Sequence, residues 1–176
     1  MNIVGLGTAG CNIAQCFSKY PQYKIFFIDT EDRTGNLLKI DRQKSLEDYE
    51  SNAPNVTEFL KDSGGDITFI VGGSGSLSTM TLAILEQIRE KNITIVYIQP
   101  KLSSLTGKKK LLERATSAIL QQYARSGLFK GIYLINNQNI VEIAGQLPVI
   151  GYHNKVNDII CTSIHFINVL DNTKHI

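Results

Sequence analysis

Short apolar runs alternate along this chain with longer segments whose apolar residues recur at helical spacing. The apolar runs predict buried strands at Asn2–Gly5, Lys24–Asp29, Asp66–Gly73, Ile93–Ile98 and Gly131–Asn136. The longer segments predict helices over Cys11–Tyr20, Leu77–Asn92, Gly107–Gly127 and from Gly151 onward. Because strands that alternate with helices pair in parallel, the sequence predicts an α/β fold with a doubly wound, mostly parallel sheet and helices on both faces.

Size, charge and cysteine content narrow the class of protein. The 176 residues suit one domain with its own core, and the net charge of +2 gives no reason to expect a nucleic-acid or membrane partner. The lysines of Lys108–Lys110 open an amphipathic helix and are expected to be solvated. No C-x-x-C pair or histidine cluster is present, which predicts a cytoplasmic protein with reduced thiols and no metal site of its own.

The first glycine-rich turn joins a strand to a helix. Gly5, Gly7 and Gly10 form a G-x-G-x-x-G pattern, which typically places a phosphate at a helix N-terminus. Asp29 ends the next strand, at about the 20-residue spacing of an acid that binds the ribose of NAD. This motif alone leaves a dinucleotide and other phosphate ligands equally open.

A second glycine-rich stretch, Gly72–Ser76, also joins a strand to a helix. Two such turns at neighbouring strand ends would aim backbone N–H groups and two helix dipoles at one place. That arrangement suits a compact polyphosphate better than a pyrophosphate shared by two nucleosides. The alternative is that these glycines only permit tight packing, but the unbroken run of small residues favours a phosphate loop.

Four segments together resemble the tubulin/FtsZ superfamily, over its nucleotide-binding domain only. They are GLGTAGCNIA, GGSGSLST, QPKLSSLTGKKKLLERA and YLINNQNIVEIAGQLPVIGYHNKVNDII. The resemblance implies GTP or GDP as the ligand, with Mg²⁺ carried by the nucleotide. It implies phosphate contacts from Gly7, Thr8, Ala9, Gly10, Cys11, Gly72, Gly73, Ser74, Gly75 and Ser76. It implies ribose or base contacts from Asn12, Asp29, Thr106, Lys110, Asn137, His153 and Asn157.

His153 and Asn157 are four residues apart and share one face of a helix, so one can stack on a base while the other pairs with its edge. Their alternatives are a solvated histidine and a locally packed asparagine. We expect valine at Gly10 or Gly73 to remove nucleotide binding and to leave the chain folded.

Several positions depart from the family pattern. Thr106 stands in place of a glutamate, Lys110 in place of an arginine and Leu77 in place of a glycine. Arg42–Gly64 lacks the family's G-A-N-P loop. These departures predict weaker or altered affinity, and they motivate an alternative in which the site has decayed and the fold serves as a structural or interaction module.

The family's water-activating acids follow the central helix and act on the nucleotide of the next subunit. Here the segment after that helix, DNTKHI, has no N-x-D-x-x-D pattern. We therefore expect one domain over residues 1–176 that ends in the central helix at about 151–170, without a second domain or a catalytic residue. Such a protein would hydrolyse little GTP alone and could self-associate, or cap or modulate a full-length tubulin/FtsZ-like partner.

An NAD-dependent oxidoreductase is a third hypothesis, which has no substrate domain or proton-transfer pair to support it.

Overall fold

The computed structural model describes residues 1–145 and 150–173, without the side chains of residues 137, 141, 143 and 144. Its centre is a six-stranded sheet in the order β3-β2-β1-β4-β5-β6, and every neighbouring pair is parallel. The strands are β1 Asn2–Leu6, β2 Lys24–Asp29, β3 Asn36–Lys39, β4 Asp66–Gly72, β5 Asn92–Gln99 and β6 Gly131–Asn136. The helices are α1 Gly7–Cys16, α2 Leu46–Ser51, α3 Thr81–Gln87, α4 Gly107–Arg125, α5 Asn137–Ala144 and α6 Tyr152–Asn172.

Strand side chains alternate between two hydrophobic cores, one on each face of the sheet. In β4, Phe69 and Val71 belong to one core and Ile70 belongs to the other. The first core also holds Ile84 of α3 and Leu120 of α4. The second core is closed by α1 and α6, through Ile13, Ala14, Val156, Ile160 and Ile164, and by Phe17 just after α1. Both faces of the central strands are buried, so the predicted doubly wound α/β fold is confirmed.

The predicted helix Leu77–Asn92 begins differently in the structure. Residues Ser76–Met80 form a 3-10 turn, and α3 follows it. The hydroxyls of Ser78, Thr79 and Thr81 each donate to the backbone oxygen three residues earlier, at 2.6, 2.9 and 2.7 Å. These local bonds compete with the α-helical pattern, which explains the tighter first turn.

Three other elements differ from the sequence prediction. Helix α1 begins at Gly7 rather than at Cys11, so its first turn lies inside the glycine motif. Strand β3 was not predicted because it is a four-residue edge strand whose residues are exposed or half-buried. Helix α5 was not predicted either; its first turn is capped by the Asn136 side chain, which accepts from the Gln138 N–H at 2.8 Å. Among the described residues, no helix is both long and apolar enough to cross a membrane.

Candidate functional site

The two glycine-rich turns lie side by side at the carboxyl edge of the sheet. Strands β1 and β4 are neighbours, and Leu6 at the end of β1 pairs with Val71 in β4. The turns open onto a cleft of about 580 Å³. The predicted residues that line it are Gly7, Thr8, Ala9, Asn12, Asp29, Gly72, Ser74, Gly75, Ser76, His153 and Asn157. Tertiary structure therefore brings most of the predicted site into one place, as expected for the strand ends of an open α/β sheet.

The first turn presents the N-terminus of α1 to this cleft. Gly7 has a φ of +68°, a left-handed conformation that favours glycine. The N–H groups of Gly7, Thr8 and Ala9 precede the first helical hydrogen bond, so they have no partner within the helix. Thr8 and Ala9 are exposed, and no acidic residue stands in the first turn. The positive end of the helix dipole is thus open to an anion.

The second turn supplies hydroxyl groups opposite the helix end. Ser74, Gly75 and Ser76 are exposed, and the Ser78 N–H donates to the Gly75 oxygen at 3.0 Å. Within the described part of the chain, the hydroxyls of Ser74 and Ser76 donate to no protein group. They are therefore available to a ligand. Leu77 follows them as a buried member of the lining, and it lies close to Gly7: a Cβ added to Gly7 would be 3.4 Å from the Leu77 Cβ.

Gly10, Cys11 and Gly73 lie behind the lining of the cleft. A Cβ at Gly10 would stand 2.3 Å from the Ile70 backbone oxygen, and one at Gly73 would stand 2.4 Å from the Tyr97 hydroxyl. This packing argues against the expectation that valine at these glycines leaves the fold intact, because the added side chain would meet protein atoms at both positions. Their contact with phosphate stays a prediction.

Cys11 is a buried thiol rather than an exposed part of the first turn. Its Sγ lies 3.1 Å from the Gly5 backbone oxygen, to which the thiol donates. Burial, and next the negative charge of Asp29, raise the pKa of the Cys11 thiol to about 12. The side chain is thus a neutral packing group at physiological pH.

Asp29 is fully buried and already bonded to protein groups. Its Oδ1 accepts from the Thr30 N–H at 2.8 Å, and its Oδ2 accepts from the Arg33 Nε at 2.8 Å. The Arg33 Nη2 lies 2.7 Å from the same Oδ2 and completes an ion pair. The Arg33 Nη2 also donates to the Asn12 Oδ1 at 3.0 Å. Arg33 therefore pairs with the Asp29 carboxylate. It also orients the Asn12 amide, so that the NH₂ group of Asn12 is the donor that remains for a ligand.

The sequence analysis did not identify Arg33. Its only signal is the spacing of four residues from Asp29, which lies across a loop rather than on a helix. Arg33 itself is not part of the cleft lining, but the lining includes Arg42 and Tyr49, which were not identified either. Arg42 pairs with Glu31 at the exposed rim, and no sequence motif marks either residue.

Helix α6 forms the remaining wall of the cleft. His153 and Asn157 stand one turn apart and both line it, with His153 exposed and Asn157 half-buried. The His153 ring also meets the Tyr152 ring edge-on, with centroids 5.3 Å apart. An aromatic ring and an amide on one helix face can together hold a planar heterocycle and pair with its edge.

Besides Gly10, Cys11 and Gly73, three more predicted residues contribute no described side chain to the cleft. Thr106, just before α4, and Lys110, within α4, lie outside its lining. Asn137 begins α5, but its side chain lies outside the described part of the structure. Among the described residues, no group of three or more histidine, cysteine or acidic side chains could hold a metal ion.

Comparison with known proteins finds solved structures of similar fold. No family model and no curated protein matches the sequence. FtsZ from M. jannaschii, solved as an empty dimer, superposes with a TM-score of 0.69 at 16% identity, covering 93% of this chain and 52% of that one. CetZ2 from Haloferax volcanii, solved as a GTPgS-bound protofilament, superposes with a TM-score of 0.70 at 13% identity, covering 94% and 57%.

The chain has the tubulin/FtsZ fold. The resemblance inferred from the sequence is confirmed at this level, and identities this low show the fold alone. The chain spans a little over half the length of the FtsZ and CetZ2 chains that it matches.

Proposed function

We propose that this tubulin/FtsZ-like domain binds GTP or GDP in the cleft between α1, the second glycine-rich turn and α6. The observation that carries the proposal is the pairing of the open N-terminus of α1 with the exposed turn at Ser74–Ser76 across one cleft. Unpaired N–H groups, hydroxyls and a helix dipole converge there, as an anionic phosphate chain requires. The GTPgS bound to CetZ2, which shares the fold, gives independent support.

The residues that line the cleft suggest how the parts of the nucleotide are arranged along it. The phosphates lie against Gly7–Ala9 and Ser74–Ser76, and the base reaches His153 and Asn157 on α6. The Asn157 amide offers both a donor and an acceptor to the guanine edge, and the His153 ring offers a stacking face. The Asn12 amide, which accepts a hydrogen bond from Arg33, binds the sugar in this proposal.

Among the described residues that line the cleft, no carboxylate is free to activate water. Asp29 is the acidic residue in its described lining, and Arg33 holds it. Slow hydrolysis by the chain alone follows, since positioned phosphates without a water-activating group keep most of the reaction barrier. A Mg²⁺ ion that accompanies the nucleotide would be coordinated by its phosphates and by water. A full-length tubulin/FtsZ-like partner, or a second copy, that docks over the cleft would have to supply the acid.

Equilibrium binding of GTP, GDP, ATP and NAD to the purified chain tests the proposal. We expect GTP and GDP to bind more tightly than ATP, and NAD not to bind. Asn157→Ala should weaken GTP binding by about 1–3 kcal/mol, because a base-edge group loses its partner. Asn154→Ala is the matched control, since Asn154 is exposed on the same helix and outside the cleft lining.

Two results would contradict the guanine assignment. Equal affinity for GTP and ATP would remove it, and tight NAD binding would favour the oxidoreductase hypothesis. No binding of any nucleotide would favour the second candidate, a structural or interaction module whose site has decayed. The buried Leu77 beside Gly7 and the occupied carboxylate of Asp29 are the observations that favour this second candidate.

A further inference from the structure

A buried acid and a buried phenol lie directly beneath the second glycine-rich turn. Glu113 of α4 is 3% exposed and Tyr97 of β5 is fully buried. The Tyr97 hydroxyl donates to the Glu113 Oε2. A Cβ at Gly73 would lie 2.4 Å from that hydroxyl and 2.6 Å from that oxygen, so the turn rests on this pair. The Gly73 N–H donates to the Ile98 oxygen at 3.0 Å, which anchors the same residue to β5.

Glu113 has no counter-charge in the described structure. Tyr97 faces it from β5 and the uncharged Gly73 faces it from the turn. On its own helix, Lys109 and Lys110 stand one turn earlier, but no described basic side chain lies within ion-pair distance of the carboxyl group. Burial therefore raises the pKa of Glu113, and the hydrogen bond from Tyr97 partly offsets that shift.

We propose that Tyr97 and Glu113 are a positioning pair for the phosphate turn, and that binding of a phosphate chain at Gly72–Ser76 takes up a proton at Glu113. This inference rests on the proposed function. A phosphate on one face of the thin turn and a carboxylate on the other repel each other, since little solvent separates them. Protonation of Glu113 removes the repulsion and keeps an acceptor oxygen for the Tyr97 hydroxyl.

The direction of the pH dependence follows from linkage. The phosphate makes the proton on Glu113 harder to remove, so the bound protein has a higher Glu113 pKa than the free protein. Affinity is then highest below the pKa of the free protein and falls as pH rises towards the pKa of the bound protein. A purely structural Glu113 would instead contribute equally at every pH.

Calorimetric titration with GDP tests the coupling. The titrations run from pH 5.5 to 8.5 in two buffers of different ionisation enthalpy, which reports the protons taken up on binding. Glu113→Gln keeps the size of the side chain and an acceptor for Tyr97, but cannot titrate. Glu47→Gln is the matched control, since Glu47 is exposed and pairs with Lys108 outside the cleft.

We expect wild type and Glu47→Gln to take up more protons than Glu113→Gln. Over this range the Kd of wild type should rise about tenfold more than that of Glu113→Gln, because one pKa unit of coupling corresponds to a tenfold change. Any other group that titrates does so in all three proteins, so the difference isolates Glu113. Identical pH profiles for wild type and Glu113→Gln would overturn the coupling and leave the proposed function standing.

Absence of GDP and GTP binding by wild type at every pH would overturn both the function and the coupling. If Glu113→Gln does not fold, as judged by circular dichroism, Tyr97→Phe decides the question. This substitution removes the hydroxyl that stabilises the carboxylate, so the pH at which affinity falls should move upwards by about one unit. An unmoved profile in Tyr97→Phe would overturn the proposal.

Discussion

Gly10→Ala should destabilise the chain, although alanine is the better helix former. The substitution places a Cβ 2.3 Å from the Ile70 backbone oxygen, 3.0 Å from its carbonyl carbon and 3.4 Å from the Val71 Cα. These atoms belong to β4, a central strand bonded to β1 and β5 on its two sides. Relief therefore requires α1 and the sheet to separate by about 1 Å, against close packing on both sides.

The magnitude follows from two opposing terms. Overpacking of a core costs about 1–3 kcal/mol, and a contact with backbone lies at the upper end because no rotamer change relieves it. The gain in helix propensity from glycine to alanine returns up to about 1 kcal/mol. We expect a net loss of about 2 kcal/mol in the free energy of unfolding, which lowers the Tm by about 4–8 °C for a chain of this length.

Urea unfolding followed by circular dichroism measures this loss as a lower transition midpoint at unchanged m-value. Gly65→Ala is the matched control, because a Cβ there meets no atom within 4 Å. A Gly10→Ala protein as stable as wild type, with Gly65→Ala also neutral, would refute the reasoning that Gly10 is required for packing of α1 on β4.

Three further predictions rest on described contacts. Gly73→Ala should lower the Tm, because the added Cβ meets the Tyr97 hydroxyl. Gly75→Ala in the same turn should leave the Tm unchanged, since the nearest atom to its Cβ is 3.9 Å away. Equal melting temperatures for the two variants would contradict this prediction. Arg33→Ala should lower the free energy of unfolding, measured in urea, by about 3–5 kcal/mol, because it leaves the buried Asp29 carboxylate unpaired. The exposed control Lys39→Ala should change that free energy by less than about 0.5 kcal/mol. Because the pKa of the Cys11 thiol is raised to about 12, the thiol ionises first in the unfolded chain. The free energy of unfolding should therefore fall as pH rises above 9, by about 2 kcal/mol at pH 10.5. A Cys11→Ala variant with the same dependence on pH would argue against this prediction.

The local patterns of the sequence were sufficient for most of the fold. Strands β1, β2, β4, β5 and β6 have continuous apolar runs, and helices α4 and α6 have clear apolar stripes, so periodicity identified them. Strand β3 and helix α5 carry weak patterns and were missed. Hydroxyl-to-backbone bonds at Ser78 and Thr81 decided that the segment after the second turn begins as a 3-10 turn, and side-chain bonding of this kind is not visible in hydropathy.

The candidate site could be predicted in part. Gly7–Ala9 and the pair His153 and Asn157 were assigned through the resemblance, and all of them line the cleft. Each set belongs to one continuous turn or helix face, so its spacing fixes the relative position of its members. Thr106 and Lys110 were assigned through resemblance to family motifs, and the structure places them outside the described cleft lining. Resemblance transfers a position in a sequence, but not the path of the backbone around it.

By itself, the sequence determined that strands alternate with helices, that the sheet is parallel and that two glycine-rich turns each join a strand to a helix. These properties depend on residues close together in the chain, where apolar spacing and glycine content act directly on the backbone. Only the tertiary structure decided that Arg33 pairs with the Asp29 carboxylate, that Gly10 packs against Ile70 and that Gly73 packs against Tyr97 and Glu113. These contacts join residues from different elements, and their energies depend on burial and distance, which exist only once the sheet and its helices have packed.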